Sequence, residues 1–378
     1  MELTADQRKT QELCARLAPD LRRRALAIDA DPAVMEPHFD SPTYAWYREC
    51  SMPSAYRTSG NPLITSFPDT PSMVDWIVAS IEWARGDAGA VMACPGPGLA
   101  GLTVDLLSDE RQKGFFYDKL ADGRTWAFFA MTEPDVGSDA AHVRTRLDPV
   151  PSGGHVLNGA KRYVGNGDRG SIGVVWAKTG DHMLGMRAVL LELPAPGCVT
   201  RPLPMLGLRG ARLSEMLFQD VRVPPGMLLG EHLPATRRGL WGAIRSLQSM
   251  RLMVGSLAIG TARAIWDYAR EHFPHAPGAE TLEDRIEAAR LHALETASAI
   301  DLDPDRAHLG ARVKLAGTRL AVEAGAWALS VAGPGAWTEH PLLEKWNRDA
   351  RGFEFMDGTS NVQRLHIAQG HLKESGRA

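Results

Sequence analysis

The stretch TWAFFAMT, residues 125–132, decides the fold, because the hydrophobic period of the chain changes there. It is a continuous run of apolar and aromatic residues, bounded by Gly123 before it and by Glu133-Pro134-Asp135 after it, which is the pattern of a buried strand. Similar short runs follow up to about Pro224: HVLNG (155–159), RYVG (162–165), GVVWAKT (173–179), AVLLELP (188–194) and SEMLFQDVRVP (214–224). Gly, Pro, Asn and Asp separate them and no helical pattern intervenes. A doubly wound parallel sheet is therefore disfavoured, and a small barrel or sandwich is expected.

On the N-terminal side the reading is helical. Thr4 opens a Thr-x-x-Gln capping box, followed by Leu13, Leu17 and Leu21 at helical spacing. A second helix opens at Ser72 with Val74, Ile77 and Ile81 on one stripe, and a third at Ser108, where Asp109 and Glu110 suit the positive helix end. Cys94-Pro-Gly-Pro-Gly98 between them reads as a turn. On the C-terminal side, Leu252 to Ala262 carries no charge, so that helix is expected to be buried on all sides until Pro274 and Pro277 end it. Further helices are expected over 280–300, 304–331, 341–352 and 360–374. The organisation is thus helices over 1–124, strands over 125–228 and helices over 229–378, an α+β chain.

Composition sets the outer limits. With 378 residues, 44% hydrophobic and 23% charged, the chain can bury a large core and is not disordered in bulk. Lys and Arg total 42 against 45 Asp and Glu, with no basic stripe, which argues against nucleic acid as a partner. The opening MELTADQRKTQELC lacks the apolar run of a signal peptide, and no run is long enough to span a membrane, so a cytoplasmic protein is expected. Cys14, Cys50, Cys94 and Cys198 are scattered, and the histidines form no metal set, so neither a disulfide framework nor a metal site is expected.

Three segments could carry chemistry, and each has a plain structural reading beside it. Met131 to Asp139 (MTEPDVGSD) ends a strand with two hydroxyls, a glycine and a turn of N–H groups able to hold an anion or a flavin edge, or it is simply a polar turn. In Leu157 to Gly167 (LNGAKRYVGNG), Asn158-Gly159 is a hairpin signal, and Tyr163 could stack on a planar ligand or pack on a barrel face. In Phe353 to Asn361 (FEFMDGTSN), Asp357 follows three apolar side chains that would desolvate its carboxyl and raise its pKa, as a general base for a weakly acidic C–H requires. Alternatively Asp-Gly makes a turn and Thr359 or Ser360 caps the next helix.

Taken together, these segments resemble the acyl-CoA dehydrogenase family. FFAMTEPDVGSD (128–139) is similar to its middle-domain signature and HVLNGAKRYVGNG (155–167) to the hairpin after it. LRGARLSEMLFQDVRVPPGMLLGE (208–231) is similar to the barrel exit, and GPGAWTEHPLLEKWNRDARGFEFMDGTSNVQR (333–364) to the C-terminal block. The resemblance implies a helical N-terminal domain, a middle β-barrel, a C-terminal four-helix bundle, a homotetramer or homodimer, and FAD held between barrel and bundle. It implies α,β-desaturation of an acyl thioester, whose carrier is coenzyme A or an acyl carrier protein, with an electron acceptor the sequence does not name. By position, Asp357 stands where the family has its catalytic base; Phe129, Thr132, Gly137, Ser138, Tyr163, Gly165, Gly333, Thr359 and Asn361 stand at FAD contacts; Ser138 and Arg251 stand at substrate contacts.

The departures are as informative. The family base is normally Glu, and Asp is shorter by roughly 1.5 Å. Met250 occupies the place of an alternative Glu, Gly165 that of a Thr or Ser near flavin N5, and His272 and Leu329 those of an Arg and a Gln that contact a neighbour's cofactor. Two alternatives to the dehydrogenase follow: the same fold repurposed with weakened or lost FAD binding, as a non-redox acid–base enzyme or binding protein, or a flavin monooxygenase. The unusual N-terminal region leans the expectation toward specialised metabolism.

Overall fold

Thr4 starts the first helix, α1 (Ala5–Ala30), as the sequence indicates: its hydroxyl accepts from Gln7 N and the Gln7 side chain accepts from Thr4 N. The apolar face of α1, with Leu13, Cys14, Leu21 and Ile28, packs on α3 (Met73–Ala93), and α2 (Pro42–Ser51) closes the layer with Tyr44 and Trp46. The computed structural model describes residues 2–57, 67–139, 142–180, 182 and 184–376.

Cys94-Pro-Gly-Pro-Gly98 is a turn only in part. Gly96, at φ +139°, pairs with the edge of the sheet, giving its N–H to Thr125 O and accepting from Ala127 N. Gly98 already begins a helix the sequence reading missed, α4 (Gly98–Leu107), because Pro97 sits just ahead of the first turn, where its missing N–H costs nothing. The next helix, α5 (Glu110–Asp118), is capped by Asp109 rather than Ser108, through a capping box with Gln112.

The strands are β1 (Ala127–Ala130), β2 (Arg146–Pro149), β3 (His155–Val164), β4 (Ile172–Lys178), β5 (Met186–Glu192), β6 (Cys198–Pro202) and β7 (Ser214–Val223). They form one curled mixed sheet in the order β1-β4-β2-β3-β7-β6, with β5 on β4. The short β2 and β6 escape a sequence reading because polar and Pro residues interrupt their alternation. Asn158-Gly159 does not make a hairpin. It lies inside β3 at a bulge, where Gly159 has φ +146° and the Asn158 amide bonds Asp220 on β7. The actual reversal between β2 and β3 uses Gly153 and Gly154, at φ +84° and +81°.

The C-terminal helices are α6 (Leu240–His272), α7 (Ala279–Leu302), α8 (Gly310–Ala332), the single turn α9 (Ala336–Glu339), α10 (Pro341–Gly352) and α11 (Ser360–Glu374). Residues 304–309 form a 3-10 lead-in to α8 rather than its first turns. Helices α6 and α8 cross closely: a side chain at Gly317 would lie 2.5 Å from Gly255 O, and one at Gly255 only 2.8 Å from Lys314 N. This crossing sets Arg251, one turn before Gly255, beside Lys314. The stretch Leu252–Ala262 is buried almost throughout, as its lack of charge implied.

Candidate active site

The turn that carries Asp357 is built where α10 stops. Phe353 is fully buried and anchors it, Asp357 takes a left-handed backbone at φ 49°, and Gly358 continues at φ 98° into α11. Aspartate tolerates this region better than most residues. Three donors hold the turn by its carbonyls. Gln363 Nε2 donates to Asp357 O at 3.1 Å and Gly358 O at 2.7 Å, Arg251 Nε to Asp357 O at 3.2 Å, and Lys314 Nζ to Gly358 O and, at 3.4 Å, Glu354 O. The expected cap is replaced: Thr359 is the N-cap residue without a side-chain bond, and the Glu354 carboxylate accepts from Ser360 N at 2.8 Å and Ser360 Oγ at 2.6 Å. Among the described residues none bonds the Asp357 carboxylate, which is left free to take a proton.

Its electrostatics follow from its packing. Asp357 keeps part of its surface open, yet desolvation pushes its carboxyl up to about 6, against the pull of the Lys314 and Arg251 cations. Of the three apolar neighbours in sequence, Phe353 is buried and Met356 packs on the core, but Phe355 is 76% exposed and shields nothing. Burial pushes Lys314 down to about 8, against the Asp357 and Glu354 carboxylates, and lowers Arg251. His366 is pushed down to about 4 by burial and by Arg251, so it is neutral near pH 7.

A second group sits at the edge of the sheet after β1. Arg162 N donates to Thr132 O at 2.8 Å, which sets Tyr163 beside Thr132. Tyr163 is 56% exposed with φ 61°, and Gly137 and Ser138 are exposed on the same turn. The N–H groups of Glu133 and Val136 are not free, since each bonds the other's carbonyl, and the available donors are those further along. A buried ion pair fixes this turn from behind. Glu133 Oε1 accepts from Lys161 Nζ at 2.9 Å, Thr145 N at 2.8 Å and Thr145 Oγ1 at 2.6 Å, while Lys161 Nζ also donates to Met131 O at 2.9 Å. Phe129, half-buried, meets Trp176 edge-on at 6.2 Å, and Gly165 lies near Ala211 O.

The two groups are joined through the loop before β7. Leu208 N donates to Asp349 Oδ1 at 2.6 Å, and a side chain at Gly352 would lie 2.7 Å from Leu208 Cδ1, one residue ahead of the Asp357 turn. Gly333 is not part of this cluster. It caps α8 nineteen residues beyond Lys314, about 28 Å along the helix axis, at φ 74° with open space around it. Asn361 is exposed and accepts from Arg364. His272 bonds Tyr268 O through Nδ1 at 2.9 Å and stacks on the Tyr268 ring at 3.9 Å. Among the described residues no His, Cys, Asp and Glu cluster could hold a metal.

Lys314, Gln363, Glu354, Lys161 and Glu133 were missed in the sequence. The signal for Lys314 was a single Lys on the face of α8 that carries Val313, Gly317, Ala321 and Ala324, all buried; a lone charge on a core stripe has a partner inside.

N-terminal and C-terminal helices that pack on each other, with a curled sheet beside them, a free carboxylate on the helical side and an open aromatic edge on the sheet, define a class. Residues 128–221 match the family model of the acyl-CoA dehydrogenase middle domain, and residues 237–372 that of the C-terminal domain. The human mitochondrial short-chain specific acyl-CoA dehydrogenase is 31% identical over 323 residues, 80% of this chain and 76% of its own. The chain belongs to the acyl-CoA dehydrogenase family, a class of flavin-dependent oxidoreductases with FAD as cofactor. A probable acyl-CoA dehydrogenase of Bacillus subtilis, YngJ, is 27% identical over 97% of this chain and 98% of its own. Two solved structures share the fold: a glutaryl-coenzyme A dehydrogenase with glutaryl-CoA, at TM-score 0.84, 21% identity and coverage of 100% and 97%, and the butyryl-CoA dehydrogenase of Megasphaera elsdenii, at 0.84, 23%, and 98% and 99%.

The residues present fit such a cofactor. A flat ring needs an exposed aromatic face and donors beside it, and the exposed Tyr163 ring, over which Arg162 lies at 5.5 Å, offers the first while Thr132 and Ser138 on the turn after β1 offer the second. No described helix is long and apolar enough to cross a membrane.

Proposed function

We propose that this protein dehydrogenates an acyl thioester at its α and β carbons, with Asp357 as the base for the α-proton. The observation that carries the reading is a carboxylate whose pKa is raised to about 6 and whose oxygens no described residue bonds. A base must be ionised and have a free lone pair, and burial near neutrality strengthens it without silencing it. FAD, when bound, supplies the two-electron acceptor at N5 for the hydride that leaves the β carbon. Phe129, Thr132, Gly137, Ser138, Tyr163 and Gly165 hold the flavin edge in this reading, with Gly333, Thr359 and Asn361 on the helical side. Arg251, buried and cationic beside the base, and Ser138 position the acyl group. The thioester acidifies the α-position, so a carboxylate suffices as base. Because Asp357 is shorter than Glu by roughly 1.5 Å, the acyl chain has to sit closer to the turn. The carrier is coenzyme A or a carrier-protein phosphopantetheine arm, and the assembly a homotetramer or homodimer.

The test is anaerobic mixing of the flavin-loaded protein with saturated acyl-CoAs of graded length and with acyl-pantetheine thioesters, following loss of the flavin absorbance. Asp357→Asn should slow the bleaching by about 10²–10⁴-fold with unchanged flavin content. Bleaching of D357N at the rate of the parent would refute the assignment of the base.

A further inference from the structure

The cations around Asp357 are arranged in an unexpected way: neither Lys314 nor Arg251 forms an ion pair with its carboxylate. Lys314 Nζ is spent on Gly358 O and Glu354 O, and Arg251 Nε on Asp357 O. Both side chains are buried, at 1% and 6% exposure. A buried ammonium is costly unless something requires its charge. Two carbonyl oxygens could be satisfied by a neutral amide, as Gln363 does for Asp357 O and Gly358 O in the same turn. The charge of Lys314 is therefore surplus to the hydrogen bonding it performs.

From this geometry we infer that Lys314 is the positioning residue of the active-site turn, and that its charge, held off the carboxylate by the two carbonyls, keeps Asp357 ionised while leaving its lone pairs open for the substrate proton. The inference rests on Asp357 being the base and assigns the tuning of that base to a residue one helix away. A Lys in direct contact would keep the carboxylate ionised but occupy its lone pairs; a turn without the Lys would leave a desolvated carboxyl to take up a proton from water. Backbone anchoring resolves the conflict. The close crossing of α6 and α8 at Gly255 and Gly317 fixes where Lys314 starts, since a side chain at Gly255 would meet the Lys314 backbone N at 2.8 Å.

The other charged groups facing this site are accounted for. Arg251 on α6 acts in the same direction as Lys314, and Glu354 in the turn acts on Lys314 but is itself held by Ser360. His366 on α11 is neutral and adds no charge near pH 7. Removing the Lys314 charge thus takes away one of two cations that hold the base ionised.

Two variants separate charge from hydrogen bonding. Lys314→Met removes both, and Lys314→Gln keeps an N–H for Gly358 O while losing the charge. The readout is the pH profile of kcat/KM for thioester bleaching, with flavin content and circular dichroism checked at each pH. The acid limb of the parent should fall near the Asp357 value of about 6, and in both variants move up by about one pH unit. At alkaline pH, K314Q should recover most of the parent's rate and K314M less. Folded variants whose acid limb stays at the parent's position would overturn the inference. If D357N keeps full activity, the base assignment fails instead; if D357N is inactive and the limb does not move, only the role of Lys314 fails. Should neither Lys314 variant fold, titration of the parent and D357N with isotope-labelled lysine, followed by NMR, decides, because a charge that stabilises the Asp357 carboxylate is itself stabilised by it. A lysine whose pKa falls by about one unit in D357N supports the inference, and lysines that all titrate as in the parent refute it.

Discussion

Lys345→Met should be the most damaging single substitution away from the active site. Lys345 lies on α10, fully buried, with Nζ 2.7 Å from Asp87 Oδ2 and 2.6 Å from Asp349 Oδ2. Asp87 also takes Trp346 Nε1 at 2.8 Å and Ala90 N at 2.7 Å, and it breaks α3 with an extended backbone; Asp349 takes Leu208 N. One ammonium thus ties the N-terminal helices, the loop before β7 and α10 to one another. Removing one partner of a buried pair costs about 3–5 kcal/mol, because the remaining charge has no solvent. Here two carboxylates lose their cation, so the upper end applies. At roughly 2–4 °C per kcal/mol for a unit of 150–250 residues, the melting temperature should fall by about 10–20 °C. The deficit should depend on pH. In the parent, the pKa of Lys345 is raised by Asp87 and Asp349 against its own desolvation, so its contribution is complete below the ordinary lysine value and is lost only at more alkaline pH. In the variant Asp349, whose carboxyl burial already raises, loses the cation that pulls it down, so the folded state takes up a proton at low pH and loses stability as pH rises. Melting followed by circular dichroism should therefore show a smaller deficit near about pH 5 than near about pH 8. A melting temperature within about 2 °C of the parent at both values would refute the reasoning, as would a deficit that grows on acidification.

Two further outcomes follow from the same logic. Lys161→Met leaves Glu133 buried beside Thr145 without its cation, at a cost of about 3–5 kcal/mol, and frees the turn carrying Thr132 and Ser138. Equilibrium dialysis should show weaker FAD retention in K161M than in a surface control such as Lys9→Met, and equal retention would refute the link. Gly159→Ala places a Cβ 2.8 Å from Thr145 Cα at φ +146°, so it should cost about 1–3 kcal/mol by chemical denaturation; an unchanged midpoint would mean the bulge yields freely.

How much of this could be read in the chain differs from element to element. The capping box at Thr4, the helix start at Ser72, the uncharged run Leu252–Ala262 and the apolar strand cores are local patterns, and they appear where their residues place them. Asn158-Gly159 misled because a dipeptide that favours a tight turn also suits a bulge, and the neighbouring strand decides which one forms. The strands β2 and β6 exist because β3, β4 and β7 offer them edges, which their own residues do not announce. At the candidate site, Asp357, Tyr163 and the turn after β1 were visible because they stand in runs of unusual residues.

What the sequence determined by itself is therefore what short-range physics can fix: helices, strand cores, the α+β order and the motifs that mark the family. What only the tertiary structure decided is how charge is distributed around those motifs. Lys314 lies forty-three positions from Asp357, Arg251 a hundred and six, and Lys345 two hundred and fifty-eight from Asp87. Burial and Coulomb interactions act through space, so whether a carboxyl is free or paired, and ionised or protonated, is settled only when the helices have crossed.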